Sequence, residues 1–235
     1  MNELENTLVI IPARGGSKGL PGKNSKLLHG KPLIYYTIDA ARDIVDDEHI
    51  CLSTDDPEIK RLAEEYQLDV PFVRPDYLAA DDVGTYEVLI HALDHYESLG
   101  KIYDQIILLQ PTSPLRTGEH IKEALALYSS EIDMVVSVKE TSSNPYYVLF
   151  EESPEGYLQK SKLGTFERRQ DCPKVWEYNG AIYIINAASL REHRIHQFSK
   201  VKKYVMDAQS SQEIDNGLDW LVVEHLLQRR NSEAK

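Results

Sequence analysis

The stretch TLVIIPARGGSKGLPGKN, residues 7 to 24, starts as an apolar β-rich run over 7 to 12 and continues into a loop, residues 13 to 24, with four glycines and three cations. In open α/β sheets ligands bind at a loop leaving the carboxyl end of a strand, where backbone N–H groups converge on one point. Glycine lets that backbone approach phosphate oxygens closely, and Arg14, Lys18 and Lys23 add charge. A plain surface turn would need the glycines but not the cations, so the loop is expected to hold a small polyanion. Two familiar phosphate loops do not fit. A Walker A loop fails because Ser17 stands five before Gly22 and Asn24 follows Lys23, and G-x-G-x-x-G cannot be placed on Gly15, Gly16, Gly19 and Gly22.

Around this loop the first 140 residues alternate strand and helix patterns, the signature of a parallel sheet covered on both faces. Further strand runs lie at 49 to 54, 105 to 111 and 134 to 139. Helical stripes fall on Leu33, Tyr36, Ala40 and Ile44, on Val88, Leu89, Ala92, Leu93 and Tyr96, and on Ile121, Ala124, Leu125 and Tyr128. Another helix starts near Pro57, a residue suited to a first turn. From 140 to 178 the chain is polar and aromatic, with three prolines and no sustained period, and is read as an excursion from the sheet domain. Strand character returns in NGAIYIINAASL. The closing helix is expected to face the core with Leu218, Leu221, Val222 and Leu226.

At 235 residues the chain suits one α/β domain, 1 to 235, with the excursion inserted. Its net charge of −12 repels a nucleic-acid backbone, whereas the cations gathered in the first 31 residues suit a small anion. Cys51 and Cys172 show no metal or disulfide spacing, which points to a reducing cytoplasm. The apolar stretch near the N-terminus is too short for a signal peptide or a membrane span, so no membrane partner is expected. The eight histidines show no ligand spacing and are read as surface or packing residues.

IPARGGSKGLPGKN followed by K-x-L-x-G-K-P-L-I resembles the N-terminal motif of the acylneuraminate cytidylyltransferases, the CMP-sialic acid synthetase family. LSTDDPEI, RPDYLAADD, LLQPTSPLRTGEHI, RRQDCPKVWEYNGAIYI and EIDNGLD follow in that family's order. The resemblance implies a three-layer α/β/α nucleotidyltransferase fold, Rossmann-like, with a mostly parallel mixed sheet and 140 to 178 as a flap that builds a homodimer and part of the sugar site. The implied activity is transfer of CMP from CTP to the anomeric hydroxyl of a nine-carbon nonulosonic acid, with release of pyrophosphate. A cytidylyltransferase for 3-deoxy-manno-octulosonate and a non-catalytic nucleotide sensor on the same fold are the rival readings.

By resemblance Ala13, Arg14, Gly15, Ser17, Lys18, Lys23, Asn24, Arg74 and Thr85 bind the nucleotide, and Arg14, Lys23 and Asp215 are catalytic. Gln110, Tyr147, Arg169, Asn179 and Tyr183 fall at sugar-site positions, an amide suiting hydroxyls and a guanidinium fork a carboxylate. Asp215 is implied as a ligand of Mg²⁺ (or Mn²⁺), with Glu213 and Asp219 beside it; Glu213 departs from the family's usual aspartate. Acids there also complement a helix N-terminus, the alternative reading of the three. Two further departures, Tyr147 in NPYY where some relatives place lysine and His196-Gln197-Phe198 where aromatics meet the N-acyl group, leave N-acetylneuraminic, legionaminic and pseudaminic acid all open.

Overall fold

The computed structural model describes residues 4–80 and 82–233. Ten strands and six α-helices follow in chain order: β1 (Thr7–Pro12), β2 (Leu27–Leu28), β3 (Lys31–Pro32), α1 (Leu33–Arg42), β4 (Ile50–Ser53), α2 (Pro57–Glu65), α3 (Thr85–Ser98) and β5 (Gln105–Leu108). Then come α4 (Gly118–Leu125), β6 (Met134–Glu140), β7 (Phe150–Glu152), β8 (Leu158–Lys160), β9 (Trp176–Asn186), α5 (Ala187–Glu192), β10 (Val201–Val205) and α6 (Gly217–Glu233). The main sheet has six strands in the order β10-β6-β9-β5-β1-β4. All neighbours are parallel except the two pairings of β9.

The alternation along β1 assigns its two faces. Val9 and Ile11 pack with Ile34 and Ile38 of α1, Ile59 of α2 and Ile121 of α4. Leu8 and Ile10 pack with Leu89 and Leu93 of α3 and Leu190 of α5. Helices therefore cover both faces, which is the expected three-layer α/β/α arrangement; each fully buried Leu or Ile contributes about 1.5–3 kcal/mol. Helix α2 starts as expected, with Pro57 in its first turn and the Asp56 carboxylate accepting the N–H groups of Glu58 and Ile59.

Two expectations need correction, and one strand was not anticipated. In α6 the buried stripe is Trp220, Val223 and Leu227, packed on Leu28, Leu33, Leu115 and Ile214, with Leu226 only partly buried. Leu218, Leu221 and Val222 point outward. The apolar residues of α6 nearly encircle it, and Trp220, with the Lys26 ammonium 4.7 Å over its ring, decides which side docks. Strand β10 gave no sequence signal, because adjacent Lys202 and Lys203 break the alternation and Tyr204 is its one buried side chain. The excursion also ends sooner than 178: β9 begins at Trp176, opposite Glu140 of β6. Between these strands lies the exposed β7–β8 hairpin.

Candidate active site

The loop after β1 is folded onto two other segments. The Ala13 N–H donates to the Ser53 carbonyl at 2.9 Å, and the Gly15 N–H to Asp55 Oδ1 at 3.1 Å, which ties the loop to the end of β4. Asn24 Nδ2 donates to the Arg14 carbonyl at 3.2 Å and so closes the loop on itself. Lys23 is 7% exposed; its ammonium donates to the Ile214 carbonyl at 2.6 Å and lies 3.8 Å from Asp215 Oδ1. Burial lowers its pKa, opposed by the charges of Asp215, Glu213 and Asp219. Gly19 lies against the Asp215 backbone so closely that a Cβ there would collide with the Asp215 carbonyl oxygen.

A cleft of about 420 Å³ opens at the carboxyl edge of the parallel strands. Arg14, Ser17, Lys18, Lys23 and Asn24 line it from the loop; Arg74, Thr85, Gln110 and Asp215 line it from the surrounding segments. Gly84 and Thr85 bring the amino end of α3 to the same space, adding the positive end of its dipole. Arg74 is a buried wall of the cleft, not a loose loop cation: its Nε donates to Ser53 Oγ at 3.0 Å and its Nη2 to the Ser53 carbonyl at 2.6 Å. Burial lowers its pKa, with Asp55 opposing.

The acidic segment before α6 separates into different roles. Glu213 accepts the Thr112 hydroxyl at 2.8 Å and sits under Gly180, where a Cβ would come within 2.9 Å of its carboxylate. Burial raises its pKa, with the Thr112 hydrogen bond opposing. Asp215 is exposed and faces the cleft. Asp219 is engaged at the start of α6: its Oδ2 accepts the N–H groups of Asp215 and Asn216, while Asn216 Oδ1 accepts those of Leu218 and Asp219. That reciprocal pattern is a capping box at the start of α6. Among the described residues no three His, Cys, Asp or Glu side chains gather as a metal cluster. Two acids suffice for Mg²⁺, which takes one or two carboxylates and fills its shell with water and phosphate oxygens, so Asp215 with Glu213 fits the ion.

The other sugar-site expectations fall outside the cleft. Asn179 is 2% exposed and its amide is engaged, accepting from Ser137 Oγ at 2.5 Å and donating to Ser211 Oγ at 2.9 Å. It acts here as a buried link among β6, β9 and the segment before α6. Tyr183 is half-buried on β9, edge-on to Tyr178, and burial first, then the Glu213 charge, raises its pKa to about 12. Tyr147 and Arg169 lie in the excursion; the Arg169 guanidinium donates to the Ser142 carbonyl, and Tyr147 is exposed. Ala13 and Gly15 shape the loop from behind, Ala13 in the same apolar cluster as Val9. Sequence reasoning missed Asp55, Thr112 and Arg116, although all three stand within the motifs LSTDDPEI and LLQPTSPLRTGEHI, because only long-range pairing exposes their roles.

A mostly parallel sheet whose strand ends gather a glycine-rich cationic loop, a helix amino end and an exposed carboxylate defines a nucleotide-using transferase. A family model described as cytidylyltransferase matches residues 8–229, and the chain belongs to that family of nucleotidyltransferases. It is 35% identical, over 97% of its length and 98% of the relative's, to the CMP-N,N'-diacetyllegionaminic acid synthase of Legionella pneumophila. It is 38% identical over 93% of its length to the N-acylneuraminate cytidylyltransferase of Streptococcus agalactiae, spanning 53% of that longer protein. Among solved structures, a CMP:2-keto-3-deoxy-manno-octonic acid synthetase complexed with CTP matches with a TM-score of 0.70 at 16% identity, covering 95% of this chain and 99% of that one. That last likeness concerns the fold.

Proposed function

We propose that this protein transfers CMP from CTP to the anomeric hydroxyl of a nonulosonic acid and releases pyrophosphate. The observation that carries the reading is the convergence of the 13 to 24 loop, the amino end of α3, Gln110 and Asp215 on one cleft. Relatives named for legionaminic and N-acylneuraminic acids support the sugar class. Measuring pyrophosphate release from CTP against a panel of nonulosonic acids and 3-deoxy-manno-octulosonate tests it. Release with the octulosonate alone, or with none of the sugars, overturns it.

In this mechanism Arg14, Lys18, Ser17 and the loop amides hold the triphosphate, and Arg14 stabilises charge growing on the leaving pyrophosphate. Arg74, Thr85 and the α3 amino end hold the nucleoside side. Gln110 orients the sugar hydroxyls for in-line attack on the α-phosphorus; no protein nucleophile is needed, since positioning and charge neutralisation carry nucleotidyl transfer. Asp215 and Glu213 would hold Mg²⁺, and the ion would supply charge neutralisation for the phosphates. Arg14→Ala is expected to lower kcat more than it raises KM for CTP; a change confined to KM would restrict Arg14 to ground-state binding.

We place the enzyme in the cytoplasm as a homodimer. Both cysteines are free thiols, and no helix among the described residues is long and apolar enough to cross a membrane. The excursion exposes Tyr147, Val148, Leu149, Phe150, Tyr157, Leu158 and Leu163, an apolar surface suited to a second copy. A partner's excursion laid over the cleft would bring Tyr147 and Arg169 to the sugar. A monomeric mass at micromolar concentration would refute the dimer.

A further inference from the structure

Arg116 is the largest fully buried side chain among the described residues, and it is buried without a counter-ion. Its Nη1 donates to two backbone carbonyls, of Gln110 and Ala181, each at 3.4 Å, while Nε and Nη2 find no protein partner. Desolvation alone pushes the guanidinium down to about 9, far below an ordinary arginine. A charge buried without a counter-ion carries a desolvation cost, so the charge of Arg116 is not expected to add to stability.

What it touches suggests its use. The turn from Gln110 to Arg116 meets both halves of the site: Gln110 lines the cleft, the Thr112 hydroxyl holds Glu213, and the Thr112 carbonyl accepts the Ile214 N–H at 2.8 Å. Ala181, the other partner of Arg116, follows Gly180, which makes room for the Glu213 carboxylate. Arg116 thus spans the space between the end of β5 and β9 and pulls both carbonyls towards one cation.

We propose that Arg116 is a positioning residue that holds the Gln110–Thr112 turn against β9, setting the aim of Gln110 at the sugar acid while CTP is bound elsewhere in the cleft. The inference rests on the cytidylyltransferase reading above and on Gln110 facing the sugar. The loop that holds the triphosphate bonds to the end of β4 and, through Lys23, to Ile214, and it meets the Arg116 turn only at one remove through Thr112, so KM for CTP is expected to change less than KM for the sugar acid.

The experiment compares wild type, Arg116→Met and Arg116→Lys in thermal unfolding and in steady-state pyrophosphate release, with CTP and the panel's best nonulosonic acid varied in turn. For Arg116→Met we expect a melting temperature at or above wild type, KM for the sugar acid raised about tenfold, equivalent to ~1.4 kcal/mol, and KM for CTP within about twofold. Arg116→Lys, which keeps the charge but has a shorter reach and no planar guanidinium, is expected to fall between the two in KM for the sugar. Equal losses for both substrates alongside a lowered melting temperature would make Arg116 a structural residue and overturn the proposal, as would an unchanged KM for the sugar. Should Arg116→Met fail to fold, Arg116 is structural and the proposal falls, unless Arg116→Lys shows the selective rise. A wild type that releases no pyrophosphate with any sugar defeats the functional reading first, and this inference with it.

Discussion

The ammonium of Lys23 donates a 2.6 Å hydrogen bond to the carbonyl of Ile214, joining residues 191 apart in sequence. The glycine-rich loop and the segment that carries Asp215 are therefore tied together. Lys23→Met is expected to lower kcat by roughly 10² to 10³, because it removes a cation from the cleft and releases the acidic segment. It should also raise the Mg²⁺ concentration for half-maximal activity. Kinetics at several Mg²⁺ concentrations check this, and an unaltered Mg²⁺ requirement would limit Lys23 to the phosphates.

Gly19 tests the same junction from the backbone side. A methyl group there meets the Asp215 carbonyl oxygen, an atom of the main chain that cannot rotate away. Gly19→Ala is expected to cost on the order of 10² in kcat/KM through misplacement of the loop, with little change in melting temperature. Wild-type activity in this variant would show that the two segments part without consequence.

Asp215 and Asp219 should separate cleanly. Asp215→Asn is expected to abolish most activity, with only partial recovery in excess Mg²⁺. Asp219→Ala should instead destabilise the protein by about 0.5–2 kcal/mol, the usual range for a lost cap, and leave the Mg²⁺ requirement unchanged. Urea unfolding and Mg²⁺ titration of both variants decide it. A raised Mg²⁺ requirement in Asp219→Ala would return that residue to the metal site.

Burial pushes the Cys51 thiol up to about 12. Below pH ~8.5 both folded and unfolded chains keep the proton; above it the unfolded thiol ionises while the folded one stays neutral. Stability is therefore expected to fall as pH rises from about 8.5 towards 12, by up to ~1.4 kcal/mol per pH unit from this group. Cys51→Ala should be less stable near neutrality but lose less stability per pH unit on the alkaline side. Unfolding free energies at pH 8 and pH 10 provide the comparison, and parallel losses in the two proteins would count against it.

The amino-acid sequence by itself determined the layered α/β class, the strand at 7 to 12, the helix starting at Pro57 and the glycine-rich, cationic loop at residues 13 to 24. These rest on local properties: an alternating or continuous apolar run, a proline in a first turn, and glycines mixed with cations. Motif order was enough to put Arg74, Gln110 and Asp215 beside that loop, and the cleft is lined by all three. Only the tertiary structure decided which side of α6 docks, since its apolar residues lie nearly all round and Trp220 settles the matter through residues far away in sequence. It likewise made Asp219 a cap, Asn179 a buried link and Arg116 a cation between two strand ends. A side chain's role depends on which groups compete for its hydrogen bonds, and those groups are assembled by folding, not by neighbourhood along the chain.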